Sequence, residues 1–266
     1  MERLEERDPL HPVAFVAGCL ARHEAGVIAT VIGDGPALGQ RLTLTAGGAH
    51  ASNLDGELAE AVLGLARQAL ALGESSEQRL GQVEVFVEVI PPPVELFVFG
   101  GGYDAVPVVQ AAGALGWDVT VVVDRPGSAS RARLAPARVV HVAPEVLALK
   151  REALAVVMTH NYAHDLALLR ELLPRPLRYL GVLGPRRRTE RLLAELRAEG
   201  LEVEREALHK LHSPIGLDLG ADQPEQIALA IVAEAQAVIH GRPARSLREH
   251  GGPIHARPLE AAPRLA

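Results

Sequence analysis

Cysteine is nearly absent: Cys19 is the only one in 266 residues. A single thiol excludes an internal disulfide framework and any multi-cysteine zinc or iron–sulfur centre. Lysine is scarce too, with Lys150 and Lys210 alone among 27 basic side chains. No run of about 18 apolar residues is free of charge, so no membrane span is expected. The opening Met1-Glu2-Arg3-Leu4-Glu5-Glu6-Arg7-Asp8 is charged and has no apolar core, the reverse of a secretory leader. An excess of positive charge is also missing. The net charge of −6 argues against nucleic-acid binding, which needs a basic face to displace counterions. Together these absences point to the cytoplasm.

What is present is ample core-forming material, 48% hydrophobic against 23% charged, in a length that suits two domains. Residues 1–93 carry 6 Arg against 13 acidic side chains, a net of −7, while the remainder is at +1. At the break stand Pro91-Pro92-Pro93, which cannot continue a strand ladder and stiffen the chain into a link. We therefore expect a small α/β domain over 1–90, a second domain over 94–255 and a tail over 256–266. In the first, a helix over 12–24, strands near 27–32, 41–45 and 83–90, and a long helix over 54–71 follow from periodicity, with Ser52 and Asn53 as candidate caps.

After the prolines, short apolar runs at 94–99, 119–123, 139–142, 154–158 and 179–183 alternate with amphipathic stretches near 104–115, 162–173, 186–198 and 224–240. Continuous apolar runs are strands buried on both faces, as in a parallel sheet with helices on each side. The fold class is α/β, a Rossmann-like doubly wound sheet preceded by a smaller α/β domain.

Four segments could carry chemistry. Gly100-Gly101-Gly102-Tyr103-Asp104-Ala105 follows the first of these runs, and Gly100, Gly102 and Ala105 fit G-x-G-x-x-G/A. The first glycine serves the turn, the second lets backbone approach a phosphate, and the small third residue lets the helix lie close. Asp124, 24 residues on, ends the next run and is placed for a ribose hydroxyl. The alternative is that the glycines serve helix–sheet packing alone. Thr159-His160-Asn161, at the end of the fourth run, would face the glycine turn in a 3-2-1-4-5 sheet. His160, His164 and Asp165 invite a metal reading, set against crevice hydrogen bonding and plain capping; no metal site is assigned. Gly184-Pro185-Arg186-Arg187-Arg188 puts three cations at a helix start, against the dipole, which an anion or a nearby carboxylate would compensate. Pairing with Glu190 or Glu195, or solvation, is the alternative. Asp218, in the Gly- and Pro-bearing loop 213–222, either faces a ligand or forms the turn. Cys19 sits in an apolar helical segment and reads as core.

The strings FVFGGGYDAVP (97–107), GWDVTVVVDRP (116–126), 157–165, YLGVLGPRRRTERLL (179–193) and 213–234, with the closing Gly252-Pro253-Ile254-His255, together resemble the XdhC/CoxI family, accessory proteins of xanthine dehydrogenase and related molybdenum hydroxylases. The resemblance implies a maturation protein that binds the molybdenum cofactor (molybdopterin), assists its sulfuration and delivers it, with NAD(P) as a second ligand of the Rossmann-like half. It implies a hydroxylase apoprotein as partner. A sulfurase and a second copy of the chain are the further partners considered. Carried onto this chain, the ligand crevice is Gly100, Gly102, Asp124, His160, Asn161 and Arg186 to Arg188, to which the residue reading adds Ala105, Thr159, Gly184 and Asp218. The amino-terminal half departs from the family. Its loop Gly33-Asp34-Gly35-Pro36-Ala37-Leu38-Gly39 lacks the arginine after the proline, and Gly47-Gly48-Ala49-His50 stands where a Gly-Gly-Cys motif would be expected. No thiolate is available there, so binding without sulfur transfer, or another ligand, fits this chain. An accessory protein is the leading reading. An NAD(P)-dependent oxidoreductase with His160 as proton donor, its one candidate catalytic residue, and a nucleotide-binding sensor are the alternatives.

Overall fold

The structure is a computed structural model and describes residues 8–123, 132–141, 149–150, 152–249 and 251. Asp124, Arg125, the segment 252–255 and the tail over 256–266 lie outside the described residues. The chain divides into two compact units, the first ending at Pro93 and the second beginning at Val94.

The first unit runs α1 (Pro12–Arg22), β1 (Gly26–Val31), β2 (Arg41–Thr45), β3 (His50–Ser52), α2 (Gly56–Leu72), β4 (Ser76–Leu80) and β5 (Val83–Ile90). Its sheet is antiparallel in the order β3-β2-β1-β5-β4. Period-two alternation turns Val27, Ala29 and Val31 of β1, with Val85 and Val87 of β5, to the face where α2 buries Val62, Leu63, Ala66 and Ala69. The opposite face packs Ile28 and Ile90 against Phe15 and Cys19 of α1. Ser52 and Asn53 do not cap α2: Ser52 Oγ accepts from Leu54 N–H, and Asn53 Oδ1 accepts from Arg41 N–H across the β2–β3 pair. Asp55 holds the N-cap position.

The second unit runs β6 (Glu95–Phe99), α3 (Ala105–Ala114), β7 (Asp118–Val122), β8 (Arg138–Val140), β9 (Leu154–Val157), α4 (Tyr162–Leu172), β10 (Tyr179–Val182), α5 (Arg186–Ala198), α6 (Arg205–His209), β11 (Leu211–His212) and α7 (Pro224–Ile239). All strand pairs are parallel, in the order β11-β10-β9-β6-β7-β8. The expected doubly wound sheet is borne out, and the two-residue β11 extends it. One face buries Val98, Val121 and Val156 under α3 and α7. The other buries Phe97, Phe99, Ala155 and Val157 under α4 and α5. Chain order reverses between β6 and β9. The carboxyl ends of these two strands therefore bound the crevice where ligands of open α/β sheets sit. No helix among the described residues is long and apolar enough to cross a membrane.

Candidate functional site

The glycine turn lies at that reversal. Gly100 has φ +119°, and a methyl group added to it would sit 2.5 Å from the Met158 carbonyl oxygen. Glycine is thus demanded by the close approach of the β9 end. Gly102 is different: it is exposed, and a methyl group there would sit 2.9 Å from Asp104 Oδ1. The space beside the second glycine is taken by the chain's own carboxylate. Ala105 is fully buried, as close packing of α3 requires. The Ala105 and Val106 N–H groups donate to the carbonyls of Gly102 and Tyr103, so two first-turn donors of α3 are already engaged.

From the facing loop, His160 reaches across. Its Nε2 lies 2.6 Å from Asp104 Oδ2, and its backbone is left-handed at φ +56°. Asn161 does not face the crevice with its side chain. Its Oδ1 accepts from His164 N–H and caps α4, because the extended backbone before a helix start aims a short amide at the free N–H groups. Thr159 Oγ1 donates to Asp165 Oδ1 at 2.5 Å. His160, His164 and Asp165 do not converge: the imidazole of His160 is held by Asp104, while the Asp165 carboxylate is 1% exposed and bound to Thr159 and Arg188.

Asp165 compensates one of the three arginines at the start of α5. Arg188 Nη2 is 2.7 Å from Asp165 Oδ2, and the guanidinium also lies over the Tyr162 ring at 6.0 Å. The compensating carboxylate is therefore neither Glu190 nor Glu195; Glu195 instead accepts from the Tyr162 hydroxyl at 2.8 Å. Arg186 and Arg187 are exposed and form no ion pair with another described residue. Pro185 holds the N-cap position of α5 with no side-chain cap, and the first turn carries no acid. Gly184, φ +133°, lies two residues after β10 beside the Arg188 stem. Asp218 is exposed in its loop, in which a methyl group added to Gly216 (φ +98°) would sit 3.1 Å from Ala230 Cβ of α7 and the Gly216 N–H donates to Glu234 Oε2 at 2.9 Å.

A second, partly buried cluster lies outside the four segments singled out from the sequence. Tyr179 donates its hydroxyl to Glu234 Oε2 at 2.6 Å, and His212 Nδ1 lies 3.3 Å from Glu234 Oε1 while stacking on Tyr179 at 4.6 Å. Burial raises the Glu234 carboxyl, but hydrogen bonds from His212, Tyr179 and Gly216 outweigh it and leave the group below its ordinary value. Burial, with the neighbouring carboxylate, pushes the Tyr179 phenol well up. The members stand up to 55 positions apart, and only the polar residues in otherwise apolar surroundings hinted at them.

The crevice is thus polar in a directed sense, with a carboxylate and engaged N–H groups at α3 and exposed cations at α5. Residues 96–235 match the family model of the XdhC Rossmann domain. A Bacillus subtilis protein described as a probable xanthine dehydrogenase subunit is 33% identical over 155 residues, 56% of this chain and 44% of that protein. The Escherichia coli uncharacterized protein YqeB is 29% identical over 169 residues, 61% of this chain and 30% of its own length. The chain thus spans less than half the length of these curated relatives. A crystal structure described as a xanthine dehydrogenase from Bacillus halodurans superposes with a TM-score of 0.65 at 23% identity, over 86% of this chain and 66% of that one, a likeness of fold. Since the matched domain makes up more than half of the chain and its glycine turn, switch point and α5 start are all in place, this chain belongs to the XdhC family.

Proposed function

We propose that this chain is an accessory protein of a molybdenum hydroxylase of the xanthine dehydrogenase type, binding the molybdenum cofactor in the crevice of its second unit and delivering it to the hydroxylase apoprotein. The observation that carries the reading is the division of labour across the crevice. β6 and β10 flank β9, so the strand ends that lead into α3 and α5 are about 10 Å apart at the ordinary strand spacing, with α3 and α5 on opposite faces of the sheet. That span suits a heterocycle with a phosphate at one end. The uncapped start of α5, with Arg186 and Arg187, suits the phosphate. The Asp104 carboxylate, with His160, suits the hydrogen-bond donors of a pterin ring.

When bound, the cofactor supplies the molybdenum on which the partner's hydroxylation depends. This chain's part is to seat and orient it. Sulfur transfer on a thiol of this chain is not part of the proposal: Cys19 is wholly buried in the first unit, and burial pushes its thiol up. A dinucleotide-dependent oxidoreductase is the second reading, favoured by the imidazole–carboxylate pair at the switch point.

Native mass spectrometry of the freshly purified chain separates the two. Retention of a molybdopterin mass, lost when Arg186 and Arg187 are both replaced by alanine, is the expected outcome. Retention of a nicotinamide dinucleotide instead would establish the second reading and overturn the first.

A further inference from the structure

Resting on the crevice assignment above, we infer that Asp104 is a specificity residue whose carboxylate takes the place a phosphate would occupy at the first glycine turn. The crevice thereby rejects a dinucleotide pyrophosphate and accepts at α3 a ligand edge rich in N–H donors. Three independent observations converge on it. In a dinucleotide-binding turn the second glycine exists so that backbone can approach the pyrophosphate. Here the atom that fills the space beside Gly102 is Asp104 Oδ1, 2.9 Å from where a methyl carbon would stand.

A pyrophosphate also needs the free N–H groups of the following helix. The Ala105 and Val106 N–H groups already donate to Gly102 and Tyr103. Finally, Asp104 stands at the N-cap position of α3 without capping it, and its other oxygen is fixed by His160 from the β9 loop at 2.6 Å. An anion arriving here would meet a carboxylate at contact distance, and His160, when protonated, is the cation beside it that would offset the repulsion. A ring edge carrying adjacent N–H and NH₂ groups, as in 2-amino-4-oxopteridines and guanine, would instead find a bidentate acceptor.

The test is isothermal titration of the full chain, Asp104→Asn, Asp104→Ser and His160→Ala with two probes, NAD and a pterin monophosphate, at low salt. Circular dichroism confirms the fold of each variant. Asp104→Asn and Asp104→Ser are expected to bind NAD at least about tenfold more tightly than the unsubstituted chain, the scale of one hydrogen bond to a charged group. His160→Ala, which keeps the carboxylate, leaves NAD binding as weak as before. Pterin monophosphate weakens by about tenfold or more in Asp104→Asn. NAD binding that is the same with and without the carboxylate, absent in both included, overturns the inference, as does a gain in His160→Ala. Failure of the proposed function reads differently: the unsubstituted chain would bind no pterin monophosphate while the dinucleotide arm still shows its gain.

Discussion

Asp165 is a carboxylate sealed from water, and both its oxygens are held, one by the Thr159 hydroxyl and one by Arg188. Removing Arg188 leaves a charge buried and unpaired, which costs about 3–5 kcal/mol. Asp165→Ala should cost less, because Arg188 is 22% exposed and can turn to solvent. Urea unfolding of the two variants checks the order, and equal losses would mean that Asp165 is stabilised mainly by Thr159. Glu234 supplies a second prediction at this scale, with a sign. Its folded value lies below the ordinary 4.5, so its contribution is fully present above that pH and is lost as the pH falls through the folded value. Glu234→Gln should therefore lower stability at neutral pH and converge with the unsubstituted chain as the pH falls below about 4.5. Denaturant midpoints across that range are the measurement, and a constant gap would remove the linkage.

At the scale of elements, the crevice is built from two strand ends and the starts of three helices, and each start is treated differently. The start of α4 is capped by Asn161, α3 has the N–H groups of Ala105 and Val106 tied to its own turn, and α5 begins with three cations and no side-chain cap, its Arg188 N–H donating to the Pro185 carbonyl at 2.8 Å. Of the three, the last suits an anion. Asn161→Ala removes one cap and should cost about 1 kcal/mol of stability without abolishing ligand binding. Thermal denaturation and titration together test this: a loss of binding at unchanged stability would return Asn161 to the crevice. The glycine turn is less tolerant. Gly100→Ala drives a methyl group into the Met158 carbonyl on a backbone at φ +119°. Strain and overpacking together should cost about 2–5 kcal/mol in a denaturation curve.

On the whole-molecule scale, the chain holds two units with separate cores, and the family model falls within the second. Each unit has a sheet with helices on both faces, so neither depends on the other for a core layer. We expect residues 94–254 expressed alone to unfold in a single cooperative transition and to keep the ligand selectivity of the full chain. Denaturation and titration of that fragment check both, and loss of cooperativity would show that the first unit completes the fold. The charge difference between the halves, −7 against +1, puts the less acidic half with Arg186 and Arg187 in the second unit. Binding to the crevice should accordingly weaken as salt rises.

The outline of the second unit was determined by sequence alone. Short unbroken apolar runs separated by amphipathic stretches admit little besides a parallel sheet between helix layers, and in a 3-2-1-4-5 order the fourth strand lies beside the first. The glycine turn, the α5 arginines and Cys19 in the core were legible for the same reason: each is a local pattern. β4 (Ser76–Leu80) and β11 were not, because a polar edge strand and a two-residue strand carry no periodicity of their own. Nor could local pattern show that Asp104 Oδ1 stands beside Gly102, that Asn161 turns to its helix, or that Asp165 pairs with Arg188. Tyr179, His212 and Glu234 likewise meet from three elements. Such partnerships depend on which side chains the folded sheet brings within about 3 Å of one another, and hydrogen bonds and ion pairs act only at that range. Tertiary structure alone decided them.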